Sequence, residues 1–145
     1  MVVTEGYINN LKEREKELIC LYSVDNILKN NEKSRSDKFM EILKAIPSGW
    51  QFPGICNAKI IYESHIYKGT DFRETCWAQS SNIVVDNNIS GRIWVFYQEN
   101  KPFLPQEQKL LNTIAERIGN FLFFNKLEQT IEYLKRKKSP FAQFY

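Results

Sequence analysis

Apolar residues along this chain change their spacing twice, from steps of three and four to alternation and back again. From Tyr7 to about Lys29, the residues Ile8, Leu11, Leu18, Leu21, Tyr22, Val24, Ile27 and Leu28 fall mostly three or four apart, which gathers them on one side of a helix. Within that stretch, LKEREKEL is rich in helix formers and in opposite charges that meet at i,i+3 and i,i+4. The spacing predicts an entry helix over about 7–30, only partly covered by its own domain. A polar break, KNNEKSRSD, ends it. Ser36 is the expected cap of a second helix, whose Phe39, Ile42, Leu43 and Ile46 form one stripe before Pro47 and Gly49 close it.

After Gly54 the period falls to two. AKIIYES and SSNIVVD are short, β-branched and roughly alternating, and Asn87 and Asn88 form a hairpin signal leading into ISGRIWVFYQ, with Gly91 a candidate bulge. Antiparallel strands follow. Pro105 then opens an exit helix where a missing N–H costs nothing, and Glu107 suits the positive end of its dipole. Its first stripe, Leu111, Ile114, Ile118 and Phe121, can lie on the sheet. A second stripe on another side, Phe124, Leu127, Ile131 and Leu134, keeps 3-4-3 spacing among Lys126, Glu128, Glu132 and Lys135.

Two stripes imply two partners. A parallel helix from a second subunit is the expected mate of the second stripe, and the alternative is that it folds back on the entry helix of the same chain. Both hold together if the two helices leave the same end of the domain and a homodimer makes a four-helix bundle. The exit helix is expected over about 105–137, and SPFAQFY, within 138–145, as a loose tail.

With 145 residues the chain suits one domain spanning 1–145, and 43% hydrophobic residues supply a core for it. The net charge of +3 is small and gathers at Lys135–Lys138, so no nucleic-acid partner is expected. The opening MVVTEGYINN lacks the charged and apolar regions of a leader, and no apolar run approaches the ~20 residues of a membrane span, which predicts a cytoplasmic protein without membrane insertion. Cys20, Cys56 and Cys76 are odd in number and far apart, and read as reduced, packed thiols.

Catalytic patterns are sparse. His65 is the single histidine, so paired-histidine and histidine–cysteine metal sites lack ligands, and it reads as a solvated turn residue. There is no G-x-S-x-G elbow and no phosphate-binding glycine loop; carboxylates occur singly or as the solvated run EREKE. No metal or cofactor is expected. What stands out is aromatic density in the middle of the chain. Trp50, Phe52, Phe72 and Trp77, with Arg73 among them, are candidates to line a ligand pocket, although such aromatics more often fill cores. Trp50 itself is expected to plug the corner where the second helix turns into the sheet.

Taken in order, LKEREKELICLYSV, IPSGWQFPGICNAKI, FRETCWAQSSNIVV, GRIWVFY and PFLPQEQKLLNTIAERIG resemble a GAF-like sensor domain of bacterial signalling proteins. The version in question lies N-terminal to histidine kinases and to phosphoenolpyruvate synthase or pyruvate, phosphate dikinase-like proteins. The resemblance covers about Leu11 to Lys135 and rests on Leu21 and Tyr22, on Trp50-Gln51-Phe52-Pro53, on Phe72 with Thr75, Trp77 and Gln79, and on Pro102-Phe103 with Glu107, Leu110 and Leu111. It implies an α+β fold: a central antiparallel sheet with the long terminal helices packed on one face, the opposite face able to hold a ligand. The Asn-Lys-Phe-Asp-Glu set of cyclic-nucleotide-binding members is missing, and neither Cys56 nor Cys76 has the histidine neighbour of a bilin site.

The expected function is a non-catalytic regulatory or sensor module, relaying ligand or partner state through dimeric terminal helices to a kinase or phosphotransfer effector. The alternative is a small-molecule sensor with an aromatic pocket for an unknown ligand. A third reading, an enzyme of a small metabolite, would need Cys76 and His65 to meet in space.

Overall fold

The computed structural model describes the backbone of residues 2–142 and the side chains of residues 5–137. Helix α1, Val2–Lys29, is followed by α2, Arg35–Ala45, a 3-10 turn at Ile46–Gly49 and a second at Pro53–Ile55. Four strands come next: β1 Cys56–Tyr62, β2 His65–Lys68, β3 Ala78–Val85 and β4 Asn88–Tyr97. Helix α3, Pro105–Ala142, ends the described chain. It runs past the boundary expected at residue 137, while residues 143–145 of the expected loose tail lie outside the described residues. The entry helix likewise starts at Val2, earlier than its apolar stripe, because a helix needs no buried face to continue.

The sheet is antiparallel, ordered β2-β1-β4-β3, so the architecture is α+β. Strict alternation in β1 turns Cys56, Ala58, Ile60 and Tyr62 inward, opposite Ile93, Val95 and Tyr97 of β4. Helix α2 lies under β1 and β2, and α3 under β3, while α1 packs against α2, α3 and the first 3-10 turn. The two long helices therefore do not both lie directly on the sheet, as the resemblance implied; α1 reaches the core through Cys20, Val24 and Leu28, over the seam between the other two.

Local details differ from expectation for identifiable reasons. Ser34, not Ser36, caps α2, its hydroxyl accepting the Asp37 N–H at 3.2 Å, since the cap must precede the helix by one residue. The β3–β4 turn centres on Asp86 and Asn87, both left-handed (φ 51° and 63°), one residue before the Asn87-Asn88 pair; that geometry is the mirror-image turn that fits strand twist. Gly91 neighbours the bulge, in which Ser90 is the extra residue: Ile83 pairs with Gly91 and Val84 with Ile89. Glycine is needed there because a Cβ would lie 2.2 Å from the Ile61 carbonyl oxygen.

Helices α1 and α3 run in the same direction. A Cβ on Gly49 would touch Cys20 and Leu110 together, Arg117 pairs with Asp25 at 2.7 Å, and Lys38 joins Leu28 to Phe121 by donating to the Leu28 carbonyl while lying 4.5 Å over the Phe121 ring. Contacts thus advance along both helices together. The parts of α1 before Lys16 and of α3 after Phe123 emerge from opposite ends of the domain, which corrects the expectation that they leave it together.

Candidate functional site

The five aromatic-pocket candidates do not form one pocket. Trp50 is fully buried: its indole Nε1 donates to Gln79 Oε1 at 2.7 Å, and its carbonyl accepts Lys16 Nζ of α1 at 3.0 Å. It is a core plug, as expected of it, and lies outside the lining of the cavity that holds Phe72 and Arg73. Phe52 packs edge-on against Tyr97, under Lys101. Trp77 sits at the start of β3, where its carbonyl accepts the Tyr97 N–H. Phe72 lies across the sheet against Phe96, on the opposite face from Tyr97. Of the five, Phe72 and Arg73 line the cavity at the edge of the sheet.

That cavity, of about 690 Å³, wraps around one edge of the sheet. Its walls are the C-terminal half of α2 with Met40, Leu43 and Lys44, the start of β1, and the Gly69–Arg73 loop. It exists because β2 is short. The last β1–β2 pair is Lys59 with Lys68, so Cys56–Ala58 have no strand beside them on that side. At the back of this opening, Gln98 Nε2 donates to Asn57 Oδ1 and to the Arg73 carbonyl, fastening the loop to the sheet.

A polar network adjoins the cavity and links it to both terminal helices. Glu107, at 2% exposure, accepts the Leu104 N–H at 2.6 Å, the Gln51 N–H at 2.7 Å and the Tyr97 hydroxyl at 3.2 Å. Three donors offset its desolvation. Burial, then the Glu107 charge, pushes the Tyr97 hydroxyl well above its ordinary range. Gln79 Nε2 continues the network to Gln108, whose own Nε2 donates to the Ser80 carbonyl on the outer edge of β3. Thus the segment from Trp50 to Phe52 is held by α1 through Lys16, by β3 through Gln79 and by α3 through Glu107. It lies in sequence between Pro47 and Gly54, both on the cavity wall.

Burial pushes the Cys20 thiol up to about 11 and the Cys56 thiol up to about 12, the latter with the help of Glu107. Both stay protonated near neutrality and suit packing rather than nucleophilic work. Cys76 is exposed, against the expectation that all three are packed. His65 is the exposed first residue of β2, paired with Tyr62, and so belongs to a strand rather than a turn. Cys76 precedes β3 near the other end of the sheet, where Ala78 is level with Phe96 and Asn57. Five residues of strand, about 17 Å, and the width of the sheet separate the two. They do not meet. Among the described residues no three His, Cys, Asp or Glu side chains gather into a metal site, and no helix is long and apolar enough to cross a membrane.

Phe124, Leu127, Ile131 and Leu134 are 41–62% exposed on the projecting part of α3. On α1, Ile8, Leu11, Leu18 and Tyr22 make a matching stripe, 44–69% exposed. No protein-family model, curated protein or solved structure matches the chain.

Proposed function

We propose that this chain is a non-catalytic regulatory module of the GAF-like kind, which forms a homodimer through its projecting helices and relays ligand or partner state along them to a kinase or phosphotransfer effector in the cytoplasm. The observation that carries this reading is the pair of exposed apolar stripes, one along the outer side of α1 and one on the projecting end of α3. Soluble monomers rarely leave such contiguous apolar surface uncovered. Burying a half-exposed Leu, Ile or Phe stabilises by ~1 kcal/mol. Over eight such positions on each of two protomers, that is of the same order as the ~4–15 kcal/mol lost on association. Both stripes are therefore required for a tight pair.

The residues that carry the GAF-like resemblance also support it, since they converge: Trp50 on Gln79, Gln51 on Glu107, Thr75 on the Tyr97 carbonyl at 2.6 Å. A second reading, a small-molecule sensor, is favoured by the cavity at the open edge of β1. The two combine if a ligand there binds two helix arrangements unequally, with coupling of ~1–3 kcal/mol.

Native mass spectrometry tests the dimer directly. The wild-type protein is expected at twice the chain mass, and Leu127→Glu with Ile131→Glu at the single mass, with the amide resonances of core residues such as Ile60 and Val95 in place because neither substituted side chain belongs to the core. A wild-type protein that stays monomeric at high concentration would end the proposal.

A further inference from the structure

Resting on the sensor reading of this site, we infer that the cavity at the open edge of β1 takes a small peptidic carboxylate: an N-acylated amino acid, or the C-terminal residue of a peptide. Three independent features of the wall point to that chemistry.

The first is a pair of backbone groups left beside the opening. Gln98 N–H donates to the Ile55 carbonyl at 2.8 Å, which sets the alternation along β1: odd-numbered residues turn their backbone groups to β4 and even-numbered ones to the other side. Cys56 spends its N–H on the Pro53 carbonyl. Continued β2 pairing would bring the Gly69 carbonyl to the Ala58 N–H, but β2 ends at Lys68 and the chain turns away there, the Gly69 carbonyl accepting the Phe72 N–H at 3.3 Å with no bond to Ala58. Among the described residues the Cys56 carbonyl and the Ala58 N–H are left without a hydrogen-bond partner, one acceptor and one donor flanking Asn57. A single residue lying alongside satisfies both, giving its N–H to the first and an oxygen to the second, in the manner of strand addition.

The second is charge. Lys44 and Arg73 line the cavity, and neither has an ion-pair partner among the described residues. Asp71 lines it too, so the wall carries an excess of one positive charge. A monocarboxylate matches that excess; a polyphosphate does not. The third is shape and polarity. Met40, Leu43, Pro47 and Ile55 offer an apolar surface for one side chain, and about 690 Å³ lies within the range of small-molecule sites.

A matched trio of probes separates these features. N-acetyl-leucine has the amide, the carboxylate and the apolar side chain; N-acetyl-leucinamide lacks the charge; 4-methylpentanoate lacks the amide. Titrated into the isotope-labelled full chain, N-acetyl-leucine is expected to shift the Ala58 amide resonance, and each of the other two to bind about tenfold more weakly. Lys44→Gln and Arg73→Gln, both at exposed positions, are expected to weaken N-acetyl-leucine by a similar factor while leaving the urea midpoint unchanged. Equal binding of 4-methylpentanoate or of the leucinamide overturns the inference, as does an Ala58 resonance that none of the three moves.

A twelve-residue peptide ending in leucine distinguishes the sources of this chemistry. Tighter binding than N-acetyl-leucine assigns the site to a protein terminus, and equal or weaker binding assigns it to a free metabolite. Native mass spectra recorded with and without the probe keep the two proposals apart. Binding to a strictly monomeric chain leaves the site standing and removes the relay.

Discussion

Trp50 shows how one side chain joins several elements. It is fully buried and its one polar atom is matched to Gln79, so Trp50→Ala is expected to cost ~3–5 kcal/mol in urea unfolding. Trp50→Phe should cost less, ~1–3 kcal/mol, because it mainly leaves the buried Gln79 oxygen unpaired. Glu107→Gln removes charge from an acceptor of three donors and should cost ~1.5–3 kcal/mol. The buried thiols give a pH dependence whose sign follows from linkage. Their pKa values rise on folding from 9.0 to about 11 for Cys20 and about 12 for Cys56, so the unfolded chain loses these protons first. Stability is intact below pH 9 and falls as pH rises toward 11–12. A Cys20→Ala, Cys56→Ala double variant should show a flatter decline of urea midpoint over that window. An aromatic thiol reagent should meanwhile titrate one cysteine, Cys76, in the native protein and three in urea.

Between elements, packing distances decide what is tolerated. Helix α3 approaches the outer edge of β3 closely at Gly119, where a Cβ would lie 2.3 Å from the Val84 carbonyl oxygen. Gly119→Ala should push the helix off that edge and lower the melting temperature, although alanine is the better helix former by ~1 kcal/mol. The sign of the measured change tells which effect wins. The same approach protects the edge, since Gln108 occupies the Ser80 carbonyl that a foreign strand would seek. The element types were legible because their periods are strong: the α2 stripe, the alternation of β1 and the proline opening α3 all lie where the sequence puts them. Strand β2 is not legible as a strand in the sequence, because four residues with three exposed carry no alternation to detect. Its early end, and hence the cavity, depends on where pairing stops, and no local pattern encodes that. Aromatic density misled for a related reason. Neighbours such as Phe96 and Tyr97 face opposite sides of a strand, so closeness in sequence scattered Trp50, Phe52, Phe72 and Trp77 over two faces. Gln79 and Glu107 were visible as motif residues, but their burial follows only once three elements meet around Trp50.

For the whole molecule, direction matters more than any single contact. Helices α1 and α3 advance side by side, and their apolar stripes stand at opposite ends of the domain. Two copies related by a twofold axis along the helices would bring α1 beside α1 and α3 beside α3, with no crossing between the pairs. Cysteine cross-linking reads this out: Leu11→Cys should join to its own counterpart and Leu127→Cys to its own, while a mixture of the two variants gives no 11-to-127 product. At ~1.5 Å per residue the part of α1 before Lys16 adds roughly 21 Å at one end and the part of α3 after Phe123 roughly 28 Å at the other. The domain then sits in series between them, like a splice in a cable. A twist or slide applied to one end has to pass through the packing around Trp50 before it reaches the other.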